Sequence, residues 1–286
     1  MGARRHNSRR SGRPRRGARR HARRHGLASR VGRPQLPAEA SVWGRHAVTE
    51  ALRRGTSVER VFIAREQAEA MADVRSLAAT AAVPVTFTDV SELDQLSFGG
   101  QHQSVVAAVR SPPPASIEDL LEGDSAGGPP LILAADQVQD VGNLGALLRT
   151  LEAVDGAGAI VPARRSAALT GGLARASAGA SLRTPLVQVA NIARALDQLR
   201  EAGAWVYALE QDGDTDFTAA DFSRPTCLVV GGEARGVRPG VRKACDAALR
   251  IPMYGGVGSL NVSVAGALVL YHAVRSRREA DASNAT

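Results

Sequence analysis

Three short stretches of the chain carry residue types that could act on a bound substrate. In the first, Asp140-Val141-Gly142-Asn143-Leu144-Gly145-Ala146-Leu147-Leu148-Arg149-Thr150, an amide and a guanidinium sit on what reads as one helix. Leu144, Leu147, Leu148 and Leu151 recur at i, i+3, i+4 and i+7, the spacing of a buried helical face, and Asn143 is placed to cap it. Arg149 then lies about 150° round the helix from the middle of that face, so it is open to a partner. The second stretch, Val229-Val230-Gly231-Gly232-Glu233-Ala234-Arg235-Gly236-Val237, puts a carboxylate in a glycine turn straight after an apolar strand, where bare backbone lets a ligand come close. The third, Ile251-Pro252-Met253-Tyr254-Gly255-Gly256-Val257-Gly258-Ser259-Leu260-Asn261-Val262-Ser263, is a glycine-rich loop feeding a helix. No Lys-Ser or Lys-Thr follows its glycines, so it is not a triphosphate-binding loop, and it comes after the last strand, so it is not a dinucleotide fingerprint. Each stretch alone has an ordinary explanation, a solvated helix face or a tight turn. The combination is the informative feature.

The elements that must position these loops alternate. Beyond residue 130, strand-like runs at 131–135, 158–162, 185–189, 205–209, 227–232 and 248–253 are separated mostly by helical patterns. Ile192, Ala195, Leu196 and Leu199 repeat the apolar spacing behind Asn191, and Gly203 supplies the stop. The last helix is predicted from Asn261 to Arg275, Arg277 and Arg278, cations suited to a helix C-terminus. Strands alternating with helices predict a parallel sheet covered on both faces, with ligands beyond the carboxyl ends of its strands. An earlier block, from about Val42 to Arg110, reads as a small α/β domain. Gly44 opens a helix with Val48, Ala51 and Leu52 on one face, closed by Gly55. Strands follow at 58–64, 84–88 and 104–109, with helices at 67–82 and around Glu92 to Leu96. The Pro- and Gly-rich segment 111–130, with a short acidic helical piece, reads as a linker.

Composition narrows the class. The chain has 286 residues, 44% of them apolar and 22% charged, enough for a packed core. The richest apolar stretch, Val262 to Val274, is broken by Ser263, Gly266 and His272, so no membrane-spanning helix is expected. Two cysteines, Cys227 and Cys245, exclude a disulfide scaffold or a four-cysteine zinc site, and the six histidines show no ligand spacing. No metal is expected. The net charge of +8 is unevenly spread: residues 1–37 hold thirteen of the 36 basic residues and none of the 28 acidic ones. Such an arginine-dense tail cannot bury enough apolar surface to order itself, and it suits phosphate neutralisation on nucleic acid. No apolar segment follows it, so it does not read as a secretory signal, and a cytoplasmic protein is expected.

In this order, about 80 and 15 residues apart, Asn-Leu-Gly-x-x-x-Arg-Thr, Gly-Gly-Glu-x-x-Gly and Ile-Pro-Met-x-x-x-x-x-Ser-Leu-Asn-Val-Ser resemble the three motifs of the SpoU-type (TrmH) family. These are S-adenosylmethionine-dependent RNA ribose 2′-O-methyltransferases of the SPOUT superfamily. The resemblance covers residues 131–278 and extends to Ala176-Ser177-Ala178-Gly179-Ala180. Trp43-Gly44-Arg45-His46-Ala47-Val48 and Gly100-Gln101-His102-Gln103-Ser104-Val105-Val106-Ala107 are similar to the ends of the small RNA-binding domain that many members carry, and with that domain present the nearest subfamily methylates a guanosine of 23S rRNA. With the composition, which gives a disordered basic tail at 1–40 and a linker at 111–130, the resemblance implies a small α/β substrate-binding domain at 41–110 and a methyltransferase domain at 131–280.

It further implies an α/β fold with a SPOUT-type parallel sheet and a C-terminal deep trefoil knot, an arrangement otherwise almost absent from proteins. The loops of that knot hold the cofactor. Carried over position by position, backbone at Gly231, Ile251 and Leu260 holds the adenosyl part, with Leu209, Met253 and Ser259 nearby. Family members are homodimers through the knotted region, which completes the RNA site. The reaction joins the donor's sulfonium methyl to a ribose 2′-hydroxyl. Arg149 is the family's candidate base, with Asn143, Glu233, Ser259 and Asn261 shaping the site. A guanidinium is protonated in almost any setting, so clamping the neighbouring phosphate is the alternative role for Arg149. Glu233 could orient that arginine or bind ribose. Two positions depart from the family pattern: Val141 stands where members usually have proline, and Ser181 where an acidic residue is common. Other readings are a tRNA or antibiotic-resistance rRNA methyltransferase, or a catalytically silent RNA-binding or ribosome assembly factor.

Overall fold

The computed structural model describes residues 41–53, 57–110, 115–123, 125, 128–163, 171–233 and 235–284. The basic tail, Gly55 and residues 111–114 lie outside them.

The small sheet is built from β1 (Ser41–Trp43), α1 (Arg45–Arg53), β2 (Val58–Ala64), α2 (Ala72–Thr80), β3 (Val85–Thr88), α3 (Val90–Leu96) and β4 (Val105–Val109). Its strands lie in the order β1-β4-β2-β3. Successive side chains of a strand point to opposite faces. Val61 and Ile63 therefore pack with Val48, Leu52 and Val74 on one side, and Phe62 and Ala64 with Trp43 and Leu93 on the other. The helix over 67–82 is shorter than its alanine content suggests, because Arg65–Gln67 forms a separate 3-10 turn.

The larger assembly continues with α4 (Ile117–Glu122), β5 (Leu131–Asp136), α5 (Val141–Ala153), β6 (Gly158–Pro162), α6 (Gly171–Ala176), β7 (Leu186–Val189), α7 (Ile192–Glu201), β8 (Trp205–Leu209), β9 (Thr215–Asp216), β10 (Thr226–Gly231), α8 (Pro239–Arg242), β11 (Ala247–Arg250) and α9 (Val262–Asn284). The strands form a seven-stranded sheet, β7-β6-β5-β10-β8-β11-β9, with every pairing parallel. Both faces are covered, as expected. Leu133, Leu228 and Val230 pack against the leucines of α5 and against Val269, Leu270 and Ala273 of α9. Ile132, Ala134, Cys227 and Val229 pack against Ile192, Leu196 and Leu199 of α7 and Leu120 of α4. Each fully buried leucine contributes about 1.5–3 kcal/mol relative to exposure. The acidic piece of the segment read as a linker is thus a packed helix, closed at its start by reciprocal bonds between Ser116 and Asp119.

Register sets the edge where chemistry can occur. Gly231 aligns with Asp136, Val230 with Leu209, and Leu249 with Leu209. The carboxyl ends of β5, β10, β8 and β11 finish nearly level, so the loops after them gather at one edge of the sheet. The glycine of the first motif serves packing there: a Cβ on Gly145 would stand 2.5 Å from the Ala176 Cβ and 2.6 Å from its carbonyl carbon. Helices α5 and α6 meet backbone to backbone.

Two sequence expectations about helix ends are corrected. Asp140, not Asn143, caps α5: its Oδ1 accepts from the Asn143 N–H at 2.8 Å. Helix α9 runs on to Asn284, and Arg277 is not one of its terminal cations. Arg277 is buried and donates to the carbonyls of Phe222, Pro129 and Arg224 at 2.7, 2.6 and 3.2 Å. Burial pulls its pKa below the ordinary arginine value; a guanidinium fork answers three carbonyls in one place. Finally, β1 and β9 are too short to show any periodicity. Both cysteines are buried. Burial pushes the Cys245 thiol up to about 12 and raises Cys227 well above its ordinary value, so they serve packing and not nucleophilic chemistry. Among the described residues no helix is long and apolar enough to cross a membrane.

Candidate active site

A chain of side-chain amides ties the three motifs together. Asn261 precedes α9, and its Oδ1 accepts from the Ser263 N–H at 2.8 Å and from the Ser263 hydroxyl at 2.6 Å. An amide oxygen so engaged leaves the Nδ2 of Asn261 to donate elsewhere, and it donates to Asn143 Oδ1 at 2.9 Å. Asn143 must then turn its own Nδ2 outward, and it donates to Glu233 Oε1 at 2.7 Å. The orientation of both amides follows from the helix cap, and the chain ends on a carboxylate oxygen. Glu233 Oε2 has no hydrogen-bond partner among the described residues. The links span 118 and 90 residues of sequence.

Beside this chain a cleft of about 920 Å³ opens at the carboxyl edge of the sheet. Leu209, Gly231, Ile251, Met253, Ser259 and Leu260 line it, and so do Glu233 and Asn261. Eight of the ten residues singled out in sequence are therefore in one place. Asn143 reaches it through its two bonds. Arg149 does not: it is exposed, outside the lining, and has no hydrogen-bond or ion-pair partner among the described residues. Six residues beyond Asn143, it lies about 9 Å further along α5 and about 120° round it. Ser259 is exposed with its hydroxyl toward no described partner.

Gly231 of the second motif lines the cleft and has a further use besides. A Cβ on Gly231 would lie 2.0 Å from the Gly236 carbonyl carbon and 2.2 Å from the Val237 nitrogen. The bare backbone makes room for the returning loop itself, which closes through a bridge between Gly232 and Gly236. A residue pair missed in sequence holds this loop down. Asp136, fully buried at the end of β5, accepts from the Arg238 N–H at 2.9 Å and from its guanidinium at 2.6 and 2.9 Å. The carboxylate raises the Arg238 pKa. No motif marks the pair, since its members lie 102 residues apart. Arg238→Ala is expected to lower stability by about 3 kcal/mol, because it strands a buried carboxylate. The double variant Arg238→Ala/Asp136→Asn should recover part of that loss in a denaturant titration, and strictly additive losses would rule out the coupling. Sequence reading also passed over Glu210, Gln211 and Asp212, which line the cleft from the loop after β8. Among the described residues no group of His, Cys, Asp and Glu could hold a metal ion.

The cleft fits S-adenosylmethionine. Leu209, Ile251, Met253 and Leu260 offer apolar surface, the loops offer backbone donors and acceptors, and Asp212 adds a carboxylate to the wall, while Glu210 is paired with Arg242 at 3.2 Å. Comparison with known proteins agrees. The model of the SpoU rRNA Methylase family matches residues 130–271, and that of RNA 2′-O ribose methyltransferase substrate binding matches residues 41–115. A protein named "Uncharacterized tRNA/rRNA methyltransferase" from Mycolicibacterium vanbaalenii is 38% identical over 84% of this chain and 77% of its own. The 23S rRNA (guanosine-2′-O-)-methyltransferase RlmB of Ralstonia nicotianae is 37% identical over 82% of this chain and 94% of its own. The crystal structure of the SpoU methyltransferase AviRb from Streptomyces viridochromogenes in complex with AdoMet superposes with a TM-score of 0.71 at 27% identity, covering 84% of this chain and 90% of that one. Three loops joined by one amide chain around a cofactor-sized cleft, in a chain whose two halves match these models, make it a member of the SpoU rRNA methylase family, an S-adenosylmethionine-dependent RNA methyltransferase.

Proposed function

We propose that this enzyme methylates the ribose 2′-hydroxyl of a guanosine in 23S rRNA, acting in the cytoplasm as a homodimer. The observation that carries the reading is the Asn261–Asn143–Glu233 chain at the mouth of the cleft. When bound, S-adenosylmethionine supplies an electrophilic methyl group. Asn143 holds Glu233 Oε1, which leaves Oε2 to accept the 2′-hydroxyl proton or to fix the ribose. The backbone of Gly231, Ile251 and Leu260 cradles the adenosyl part, with Leu209, Met253 and Ser259 beside it. Arg149 cannot accept a proton in its ordinary state, so its role is to clamp the phosphate next to the target ribose and stabilise developing negative charge.

Two further features belong to this reading. Helix α9 buries Val269, Leu270 and Ala273 but exposes Val264, Leu268 and Tyr271, the last 57% accessible. Those three sit at i, i+4 and i+7, one apolar stripe that supports a subunit contact. A trefoil knot is supported by the order of strands: β10 inserts between β5 and β8, and after β11 the chain returns so that Asn261 bonds Asn143. The small domain would bind the RNA around the target, and the basic tail would add phosphate contacts. Deleting residues 1–37 should weaken RNA binding chiefly at low salt and flatten the slope of log affinity against log salt. An unchanged slope would leave the tail without that role. The reading as a whole is tested by mapping ribose methylation on rRNA and tRNA from cells with and without the protein. Loss of one 23S guanosine methyl group is expected; loss confined to tRNA would move the substrate assignment.

A further inference from the structure

The two stretches singled out in the small domain meet in space, and an aromatic ring stands at their junction. The Arg45 N–H donates to Gln103 Oε1 at 3.0 Å. Gly100 has no room for a side chain, since a Cβ there would be 2.3 Å from the Trp43 Nε1. Phe98 lies beside Trp43, with ring centroids 6.5 Å apart, yet Trp43 is buried and Phe98 is 79% exposed. The Phe98 backbone has φ of +53°, a region disfavoured for a bulky side chain. The loop is nonetheless held firmly. Gly99 donates to the Asp94 carbonyl at 2.8 Å, and Gly100 to that of Ser97 at 2.9 Å. Buried His102 accepts from the Ser104 N–H through Nδ1 at 3.0 Å, so its Nε2 carries the proton and donates to Asp94 Oδ1 at 3.1 Å.

Apart from its contact with Trp43, a phenyl ring held 79% exposed on this loop gains little for folding. We propose that Phe98 is a stacking platform for an unpaired base of the RNA substrate; exposed Gln101 and Gln103 follow in the same connection, and Gln103, whose Oε1 takes the Arg45 N–H, keeps its Nε2 to donate to a base edge. A flat ring accepts the face of any base, and amides pair with base edges. The surrounding charge is mixed: Asp94 lies in the last turn of α3, the helix that leads into the loop, and Arg45 is paired with Asp73 at 2.8 Å. That setting favours a base over the phosphate backbone. The proposal rests on the reading above only in taking RNA as the partner.

The test measures binding of the full-length protein, without cofactor, to a single-stranded RNA oligonucleotide carrying 2-aminopurine and to a fully paired duplex of the same sequence. Phe98→Ala should weaken single-strand binding about tenfold and diminish the fluorescence quench, with little effect on the duplex. Phe98→Tyr should retain affinity, whereas Phe98→Leu, apolar but not flat, should lose as much as alanine. Thermal unfolding and S-adenosylmethionine affinity should stay at parental values, since the side chain is exposed and remote in sequence from the motifs. Unchanged binding in Phe98→Ala, or full rescue by leucine, overturns the proposal. If the parent binds and methylates RNA while Phe98→Ala behaves like it, the platform fails and the functional reading stands; if the parent methylates no RNA, that reading fails separately.

Discussion

Asn143→Ala is expected to lower the rate of methyl transfer by roughly 10²–10³-fold while leaving S-adenosylmethionine affinity within about threefold of the parent. The side chain is the middle member of a chain that begins at the cap of α9 and ends on Glu233. Removing it leaves Glu233 free to rotate and leaves the Asn261 Nδ2 without its acceptor. The residue does not line the cleft itself, so the cofactor should scarcely sense the change. Asn143→Asp is the sharper companion. An aspartate in that place still accepts from Asn261 but sets a second carboxylate against Glu233, and like charges so close disfavour both remaining ionised. Its activity should fall as far as that of the alanine variant and move its pH profile upward. A rate within threefold of the parent for Asn143→Ala would remove the amide chain from the mechanism.

Arg149→Ala should abolish methylation with near-normal cofactor binding, a loss on the order of 10³-fold. Its position within a single chain makes a second result informative. Arg149 stands clear of the cleft and of every described partner, so under the homodimer proposed above it is expected to serve the neighbouring subunit's site. Mixed dimers of Arg149→Ala and Asn143→Ala subunits are then expected to recover about half the parental activity per dimer, since one of the two sites regains both groups. If Arg149 serves its own subunit, both sites stay defective and the mixture remains inactive. The assay separates the two cases without any knowledge of the exact RNA target. Retained activity in the Arg149→Ala homodimer would exclude the arginine altogether.

Much of the fold was legible because strands and helices here obey simple periodicity. The runs 131–135, 158–162, 205–209 and 227–232 fall on strands of the observed sheet, and the spacing of Leu144, Leu147, Leu148 and Leu151 marks the buried face of α5. Elements of two or three residues, such as β1 and β9, were not legible, since a pattern needs more turns than they have. The cap of α5 was misplaced by three residues because Asp140 and Asn143 are both good capping types, and only backbone geometry separates them. Arg277 read as a terminal cation because nothing local reveals that three carbonyls from remote loops converge on it.

What the amino-acid order determined by itself was the set of chemical groups and the elements carrying them: amides, a carboxylate, an arginine and glycine turns, each behind an apolar strand. Tertiary structure decided how they are used. It turned Asn143 from a cap into the link between Asn261 and Glu233, gave the space beside Gly231 to the loop's own return, and set Arg149 apart from the cleft. The reason is physical. Periodicity is a property of neighbours along the chain, whereas the direction of a hydrogen bond and the room beside a glycine depend on segments about a hundred residues away, brought close only when the parallel sheet aligns the ends of β5, β10, β8 and β11.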